Sequence, residues 1–155
     1  MQVAIIGLGL IGGSIGIALK QKAVPGWEVV GYARRQEIAA AALSLGAIDR
    51  VETNIKDAVE AAELVIIATP VLTIKDIFSQ IVDYLPHGCI VTDTTSTKSQ
   101  VMEWARKLLP STVYFIGGHP MAGKESYGIQ AAEGGLFQRC VYCLCPAENT
   151  PPEAL

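Results

Sequence analysis

The stretch that decides the fold of this chain is Gly7-Leu8-Gly9-Leu10-Ile11-Gly12. It follows an apolar run at residues 3–6, which predicts a buried strand, and it opens a helical pattern over residues 10–22. Gly7 permits a tight turn, and Gly12 lets the helix pack close to the strand. The stretch therefore predicts a strand–turn–helix unit at the beginning of an α/β fold.

The rest of the chain alternates between apolar strand patterns and helical patterns. Further strands are predicted at residues 28–33, 48–51, 64–68, 89–92, 113–116 and 141–145. Further helices are predicted at residues 38–45, 74–85 and 97–109. Strands that are apolar on both faces are typical of a parallel sheet covered by helices on each side. We therefore expect a Rossmann-type α/β fold with a doubly wound, mainly parallel sheet.

Composition and charge exclude several functional classes. Of the 155 residues, 50% are hydrophobic and 17% are charged, as in a globular protein, and the net charge is −3. Without a basic field, neither nucleic acid nor an anionic membrane is expected as a partner. The sequence shows no signal-peptide pattern and no apolar run of the roughly 20 residues that span a membrane. We expect a cytoplasmic protein.

The four cysteines do not have the spacing of a metal site. Cys140, Cys143 and Cys145 form a C-x-x-C-x-C pattern that lacks a second half and a nearby histidine, and Cys89 stands alone. Because the three lie in an apolar strand pattern, we expect buried free thiols and no metal. His87 follows a proline in a turn and is expected to have no chemical role.

The glycine turn also predicts a ligand. Gly9 lets the backbone approach a pyrophosphate, and the beginning of the helix offers free N–H groups and a partial positive charge to its oxygens. The alternative is a tight turn that binds nothing. The expected cofactor-binding residues of this turn are Gly7, Leu8, Gly9, Leu10, Ile11 and Gly12.

The end of the second predicted strand selects between the two nicotinamide dinucleotides. NAD-dependent proteins place an acidic residue there to bind the ribose hydroxyls, whereas this chain has Ala33 followed by Arg34 and Arg35. A guanidinium pairs with a 2′-phosphate through charge-assisted hydrogen bonds. The alternative is two solvated arginines, although a helix N-terminus disfavours cations. The sequence therefore predicts NADP as the cofactor.

Three further stretches follow predicted strands and should face the same crevice. Residues Ala68, Thr69, Pro70 and Val71 are expected beside the nicotinamide ribose or form only a strand-ending turn. Residues 92–98 contain Thr95, expected at the cofactor, and Ser96, which could bind a substrate hydroxyl or cap the helix at residues 97–109. Residues 117–125 form a glycine-rich loop containing His119. Its imidazole could accept a proton during alcohol oxidation or could be structural.

These motifs together resemble the prephenate/arogenate dehydrogenase family of tyrosine biosynthesis. The resemblance rests on Gly7–Ser14, Ala68–Val71, Asp93–Lys98 and, most specifically, Gly118-His119-Pro120-Met121-Ala122-Gly123. It implies oxidative decarboxylation of a cyclohexadienol, with hydride transfer to the nicotinamide. It also implies that His119 accepts the hydroxyl proton, that Ser96 shares that hydroxyl, and that Glu125 lies near the substrate. Lys124 either meets a substrate carboxylate or faces water.

The resemblance also bears on domain organisation. It implies a helical C-terminal domain, absent from these residues, that builds a homodimer and completes the substrate pocket. We expect a dinucleotide-binding domain at residues 1–146 and a linker, or the beginning of a further domain, at residues 147–155. Many members of the family carry an acid at the end of the second strand, where this chain has Ala33-Arg34-Arg35. NADP use weakly favours arogenate over prephenate.

Two alternatives from other classes stay open on the sequence alone. One is another Rossmann reductase or dehydrogenase, of the 3-hydroxyacid dehydrogenase or imine reductase type. Such enzymes share the glycine motif but usually lack the loop at residues 118–123. The other is a module that binds NADP without catalysis. This chain is expected to behave in that way when it is isolated.

Overall fold

A computed structural model describes residues 1–147 and 150–155. The strands are β1 (Gln2–Ile6), β2 (Glu28–Tyr32), β3 (Arg50–Val51), β4 (Leu64–Ile67), β5 (Ile90–Asp93), β6 (Tyr114–Pro120) and β7 (Tyr142–Pro146). The helices are α1 (Leu10–Lys22), α2 (Gln36–Ser44), α3 (Ile55–Val59), α4 (Val71–Ile81) and α5 (Ser99–Leu108). Short 3-10 turns lie at Val82–Tyr84, Ile129–Ala131 and Pro152–Ala154.

The strands form one sheet in the order β3-β2-β1-β4-β5-β6-β7. Strands β1 to β6 pair in parallel, and β7 pairs antiparallel with β6. The chain moves outward from β1 to β3 and then crosses back to β4, so the winding direction reverses between β1 and β4. This arrangement confirms the predicted Rossmann-type fold and predicts a ligand crevice where β1 and β4 end.

The sheet has an apolar core on each face. One core packs α3, α4 and α5 against the sheet and includes Phe78, whose ring meets Phe115 edge to face at 5.4 Å between ring centres. The other packs α1 and α2 and includes Ile5 and Leu8. Neighbouring residues of β1 contribute to opposite cores, as the all-apolar strand pattern predicted. None of the helices in the described parts of the chain is both long and apolar enough to cross a membrane.

The structure corrects two predictions of local structure and adds one helix that was not predicted. Strand β6 continues through Pro120 because it pairs with β7, so His119 lies in a strand and not in a loop. Helix α5 begins at Ser99, with Lys98 at the N-cap position, so the predicted capping by Ser96 is wrong. Helix α3 was missed, although Asn54 caps it by accepting a hydrogen bond from the Lys56 amide.

The prediction that Cys140, Cys143 and Cys145 are buried thiols is wrong, whereas Cys89, which stands alone in the sequence, is buried. Burial raises the pKa of the Cys89 thiol to about 12. Cys143 is exposed, and Cys140 and Cys145 are partly exposed. The edge strand β7, which contains Cys143 and Cys145, is largely exposed on both faces. Within residues 1–147 and 150–155, no three potential metal-ligand side chains lie together. Of the predicted linker at residues 147–155, positions 148 and 149 lie outside the described residues, and the boundary stays a prediction.

Candidate active site

Two adjoining clefts lie where the winding direction reverses. The first has a volume of about 640 Å³ and runs from the glycine turn to the end of β2 and the face of α4. The second has a volume of about 430 Å³ and runs from the glycine turn to the loop between β5 and α5. Gly9, Thr69 and Pro70 line both clefts, so the two meet at the glycine turn, and we term the pair of clefts the groove.

The groove gathers most of the residues predicted to bind the cofactor. The first cleft is lined by Gly7, Leu8, Gly9, Arg34, Arg35, Thr69 and Pro70 among others. The second is lined by Gly9, Leu10, Ile11, Ala68, Thr69, Pro70, Val71, Thr95 and Ser96 among others. Gly12 lines neither cleft. The structure therefore places the predicted residues together, from separate segments of the sequence, without showing what they bind.

The geometry of the turn explains its glycines. Gly7 has a φ of +98°, and a Cβ on it would lie 2.7 Å from the carbonyl oxygen of Ala68. A Cβ on Gly12 would lie 2.0 Å from the carbonyl oxygen of Gly7, so the beginning of α1 rests directly on the turn. A Cβ on Gly9 would meet nothing within 4 Å. The space above Gly9 can therefore hold a phosphate beside the N-terminus of α1.

Charged side chains surround the far end of the first cleft. Arg34 and Arg35 line it and are exposed, and the guanidinium of Arg35 lies 3.7 Å from the carboxylate of Glu37. Asp76 and Gln80 also line this cleft from α4. The sequence analysis missed both, although their spacing of four residues indicates one face of a helix. Two arginines thus line a cleft that has a single carboxylate among its lining residues.

His119 and Ser96 occupy neighbouring elements at the carboxyl edge of the sheet. Ser96 is exposed in the loop after β5 and lines the second cleft. His119 is half-buried on β6 and lines neither cleft. Its Nδ1 atom is buried and has no hydrogen-bond partner among the described residues. A buried polar atom without a partner is costly, and this nitrogen is the one side-chain atom of that kind among the described residues.

A buried ionic network lies between these two side chains, and the sequence analysis missed it. Asp93 is fully buried at the end of β5 and forms an ion pair with Lys98. Its carboxylate accepts hydrogen bonds from the backbone amides of Thr95, at 2.9 Å, and Gly118, at 3.2 Å. The polar stretch at residues 92–98 signalled unusual chemistry, but the contact with Gly118 depends on strand pairing.

Residues 121–139, which we term the strap, connect β6 to β7 across the N-terminal half of α1. Gly128 and Ile129 of the strap line the first cleft. Lys124 pairs with Glu133 of the strap at 3.2 Å, and Glu125 is exposed. Lys124 is exposed and its ammonium is paired within the strap, a contact that neither of the two alternatives for this residue included.

The strap is anchored to α1 by one buried hydroxyl. Ser14 is fully buried, and its Oγ accepts a hydrogen bond of 2.9 Å from the Glu133 amide.

Replacing Ser14 with alanine is expected to lower the free energy of unfolding by about 1–3 kcal/mol, because the Glu133 amide loses its acceptor. Urea unfolding measures this difference. Ser79→Ala is the control, since that exposed hydroxyl only donates to a carbonyl within its own helix, and an equal loss in both variants would contradict the anchor.

Known proteins resemble this chain throughout its length. The family model described as prephenate dehydrogenase, nucleotide-binding domain, matches residues 15–155. Prephenate dehydrogenase of Bacillus subtilis (strain 168) is 40% identical over 154 residues, covering 99% of this chain and 41% of that protein. Cyclohexadienyl dehydrogenase of Zymomonas mobilis is 34% identical, covering 99% of this chain and 52% of that protein.

Solved structures agree in fold. The crystal structure of Synechocystis arogenate dehydrogenase has a TM-score of 0.90 at 33% identity, covering 99% of this chain and 52% of that one. Aquifex aeolicus prephenate dehydrogenase, crystallised with hydroxyphenyl propionate and NAD+, has a TM-score of 0.89 at 29% identity, covering 99% and 53%. The chain thus spans about half the length of these relatives, or less. It belongs to the prephenate dehydrogenase family and corresponds to the nucleotide-binding domain of that family.

Proposed function

We propose that the protein to which this chain belongs oxidises and decarboxylates arogenate or prephenate in tyrosine biosynthesis, with NADP as the hydride acceptor. The observation that carries the proposal is the groove, the pair of clefts that meet at the glycine turn. Arg34 and Arg35 line one end of this groove and Ser96 lines the other, next to the strand that bears His119. The family relationship supports the reaction class, and the arginine pair supports NADP.

The residues present fit a dinucleotide. The N-terminus of α1 binds the pyrophosphate over Gly9, and Arg34 and Arg35 bind the 2′-phosphate of the adenosine ribose. Thr69, Pro70 and Thr95 flank the nicotinamide end of the groove. When bound, NADP accepts the hydride that leaves the ring carbon bearing the hydroxyl.

The side chains of this domain then handle one proton. His119 accepts the proton of the ring hydroxyl, while Ser96 holds the hydroxyl oxygen by a hydrogen bond. Carbon dioxide leaves from the opposite ring position, and the ring becomes aromatic. Because aromatisation supplies the driving force, the protein mainly orients the ring against the cofactor and removes the proton.

In our proposal, two side chains of the strap and groups outside this chain complete the substrate site. Glu125 and Lys124 lie on the strap toward the substrate, and Lys124 is partly occupied by its ion pair with Glu133. A helical C-terminal domain supplies the remaining substrate contacts and the homodimer interface. We place the protein in the cytoplasm. In this arrangement the isolated chain binds the nucleotide but does not turn over substrate.

An assay of the full-length protein tests the proposal. Arogenate and prephenate are each offered with NADP and with NAD, and reduced cofactor is followed by its absorbance. We expect turnover of at least one substrate, with a higher kcat/KM for NADP than for NAD. Binding of nucleotide without turnover of either substrate would reduce the protein to a nucleotide-binding module and overturn the proposed reaction.

A further inference from the structure

The carboxylate of Asp93 is the centre of a network that joins two segments of the chain. Asp93 has no exposed surface. Its Oδ2 accepts hydrogen bonds from the amide and the hydroxyl of Thr95 and from the ammonium of Lys98. Its Oδ1 accepts a hydrogen bond from the amide of Gly118, which lies 25 residues further along the chain. One side chain thus binds both the loop after β5 and strand β6.

Each bonded segment carries one of the two side chains assigned to proton transfer. Thr95 immediately precedes Ser96, and Gly118 immediately precedes His119. The contact to β6 is close, since a Cβ on Gly118 would lie 2.5 Å from the carbonyl oxygen of Asp93 and 2.9 Å from the Tyr142 hydroxyl. Burial, and secondarily the negative charge of Asp93, raise the pKa of Tyr142. Position 118 therefore admits no side chain, and the β6 backbone rests on Asp93.

The cost of burying the carboxylate indicates that its position is specified. A buried charge is unfavourable unless it is paired and fully hydrogen-bonded. Lys98, whose side chain is 15% exposed, supplies the opposite charge and also donates a hydrogen bond of 2.9 Å to the Thr95 hydroxyl. The bonds of Asp93 therefore hold the loop and the strand in a specified position relative to each other.

We propose that Asp93, neutralised by Lys98, is a positioning residue that sets the distance between the Ser96 hydroxyl and the His119 imidazole. The proposal rests on the proposed function, because it takes these two groups as the pair that handles the substrate hydroxyl. Asp93 itself touches neither substrate nor cofactor.

Kinetics of two variants of the full-length protein test this role. Asp93→Asn keeps one acceptor, for the Gly118 amide, but leaves the Thr95 amide without its acceptor and the Lys98 ammonium without its charge partner. A second variant, Asp93→Asn/Lys98→Met, removes both charges and guards against failure to fold. We expect kcat per folded protein to fall about tenfold in both variants, because a small displacement of reacting groups is costly. KM and the dissociation constant for NADP should change much less.

The matched control is Asp49→Asn. Asp49 also pairs with a lysine, Lys20, and accepts a hydrogen bond of 2.9 Å from a strand amide, that of Val29, but it lies at the opposite edge of the sheet. Replacing a carboxylate that only stabilises the fold should lower the melting temperature without altering kcat. The positioning role is wrong if kcat is unchanged in both Asp93 variants, or if Asp49→Asn lowers kcat as much as they do.

A readout that needs no turnover separates this inference from the proposed function. In the same variants, ¹⁵N-histidine spectra report the environment of the His119 imidazole. The His119 signals are assigned by their loss in His119→Asn, and the His87 signals serve as an internal reference. We expect the His119 signals, and not those of His87, to shift or broaden when Asp93 is replaced. If the unaltered protein turns over neither substrate, the proposed reaction is wrong. If the His119 signals are unchanged in the Asp93 variants, the positioning role is wrong, whatever the outcome of the turnover assay.

Discussion

Replacing His119 with asparagine is expected to lower kcat of the full-length protein by about 1,000-fold. General base catalysis contributes roughly 10²–10⁴-fold, and an amide cannot accept the proton of the substrate hydroxyl. The dissociation constant for NADP should stay nearly unchanged, because His119 lines neither cleft of the groove. Steady-state kinetics and a nucleotide titration measure the two effects.

The control for this prediction is His87→Asn. His87, the other of the two histidines, is exposed in the turn before β5. Its replacement should alter neither turnover nor cofactor affinity. Unchanged turnover in His119→Asn would remove this residue from the mechanism. A parallel loss of NADP affinity would mean that the imidazole shapes the nucleotide groove.

Replacing both Arg34 and Arg35 with alanine is expected to weaken NADP binding on the order of 100-fold. Two charge-assisted hydrogen bonds to a phosphate, at about 1.5 kcal/mol each, give this factor. NAD binding should change little, because NAD lacks the 2′-phosphate. Isothermal titration with both nucleotides at two salt concentrations measures the difference, and the preference for NADP should decrease at high salt.

The control removes a comparable pair of cations from α5. Arg106 and Lys107 are adjacent and exposed, and neither lines the groove. Replacing both with alanine changes the net charge by the same amount and should leave the affinity for NADP unchanged. Equal affinities of the unaltered protein for NAD and NADP would refute the assignment of the two arginines to the 2′-phosphate.

Local patterns in the sequence predicted most of the fold. The bounds of α1 were predicted correctly, because Gly9 precedes its first residue and Pro25-Gly26 follow its last turn. The parallel strands near the glycine turn are short apolar runs whose ends deviate by only one or two residues. These elements depend on sequence spacing alone, and they carry the groove. The family match also removes the 3-hydroxyacid dehydrogenase and imine reductase alternatives.

Contacts between distant segments could not be predicted in the same way. Strand β6 is longer than its apolar core because β7 pairs with it, and that pairing is visible only in three dimensions. Cys143 is exposed because it lies on the edge strand β7, which the described part of the chain leaves largely uncovered. Asp93 was passed over because its partner at Gly118 follows from strand order and not from a local motif.

The contact between the strap and α1 has a consequence for sequence variation among relatives. A Cβ on Gly13 would lie 2.5 Å from the Ile129 Cδ1 atom and 2.9 Å from the Ala132 Cβ atom, so helix and strap interlock without spare volume. A larger residue at position 13 therefore requires a smaller residue or a displaced backbone near position 129. Across homologous sequences, these positions should co-vary, and a chimera that exchanges the strap alone should misfit its new helix.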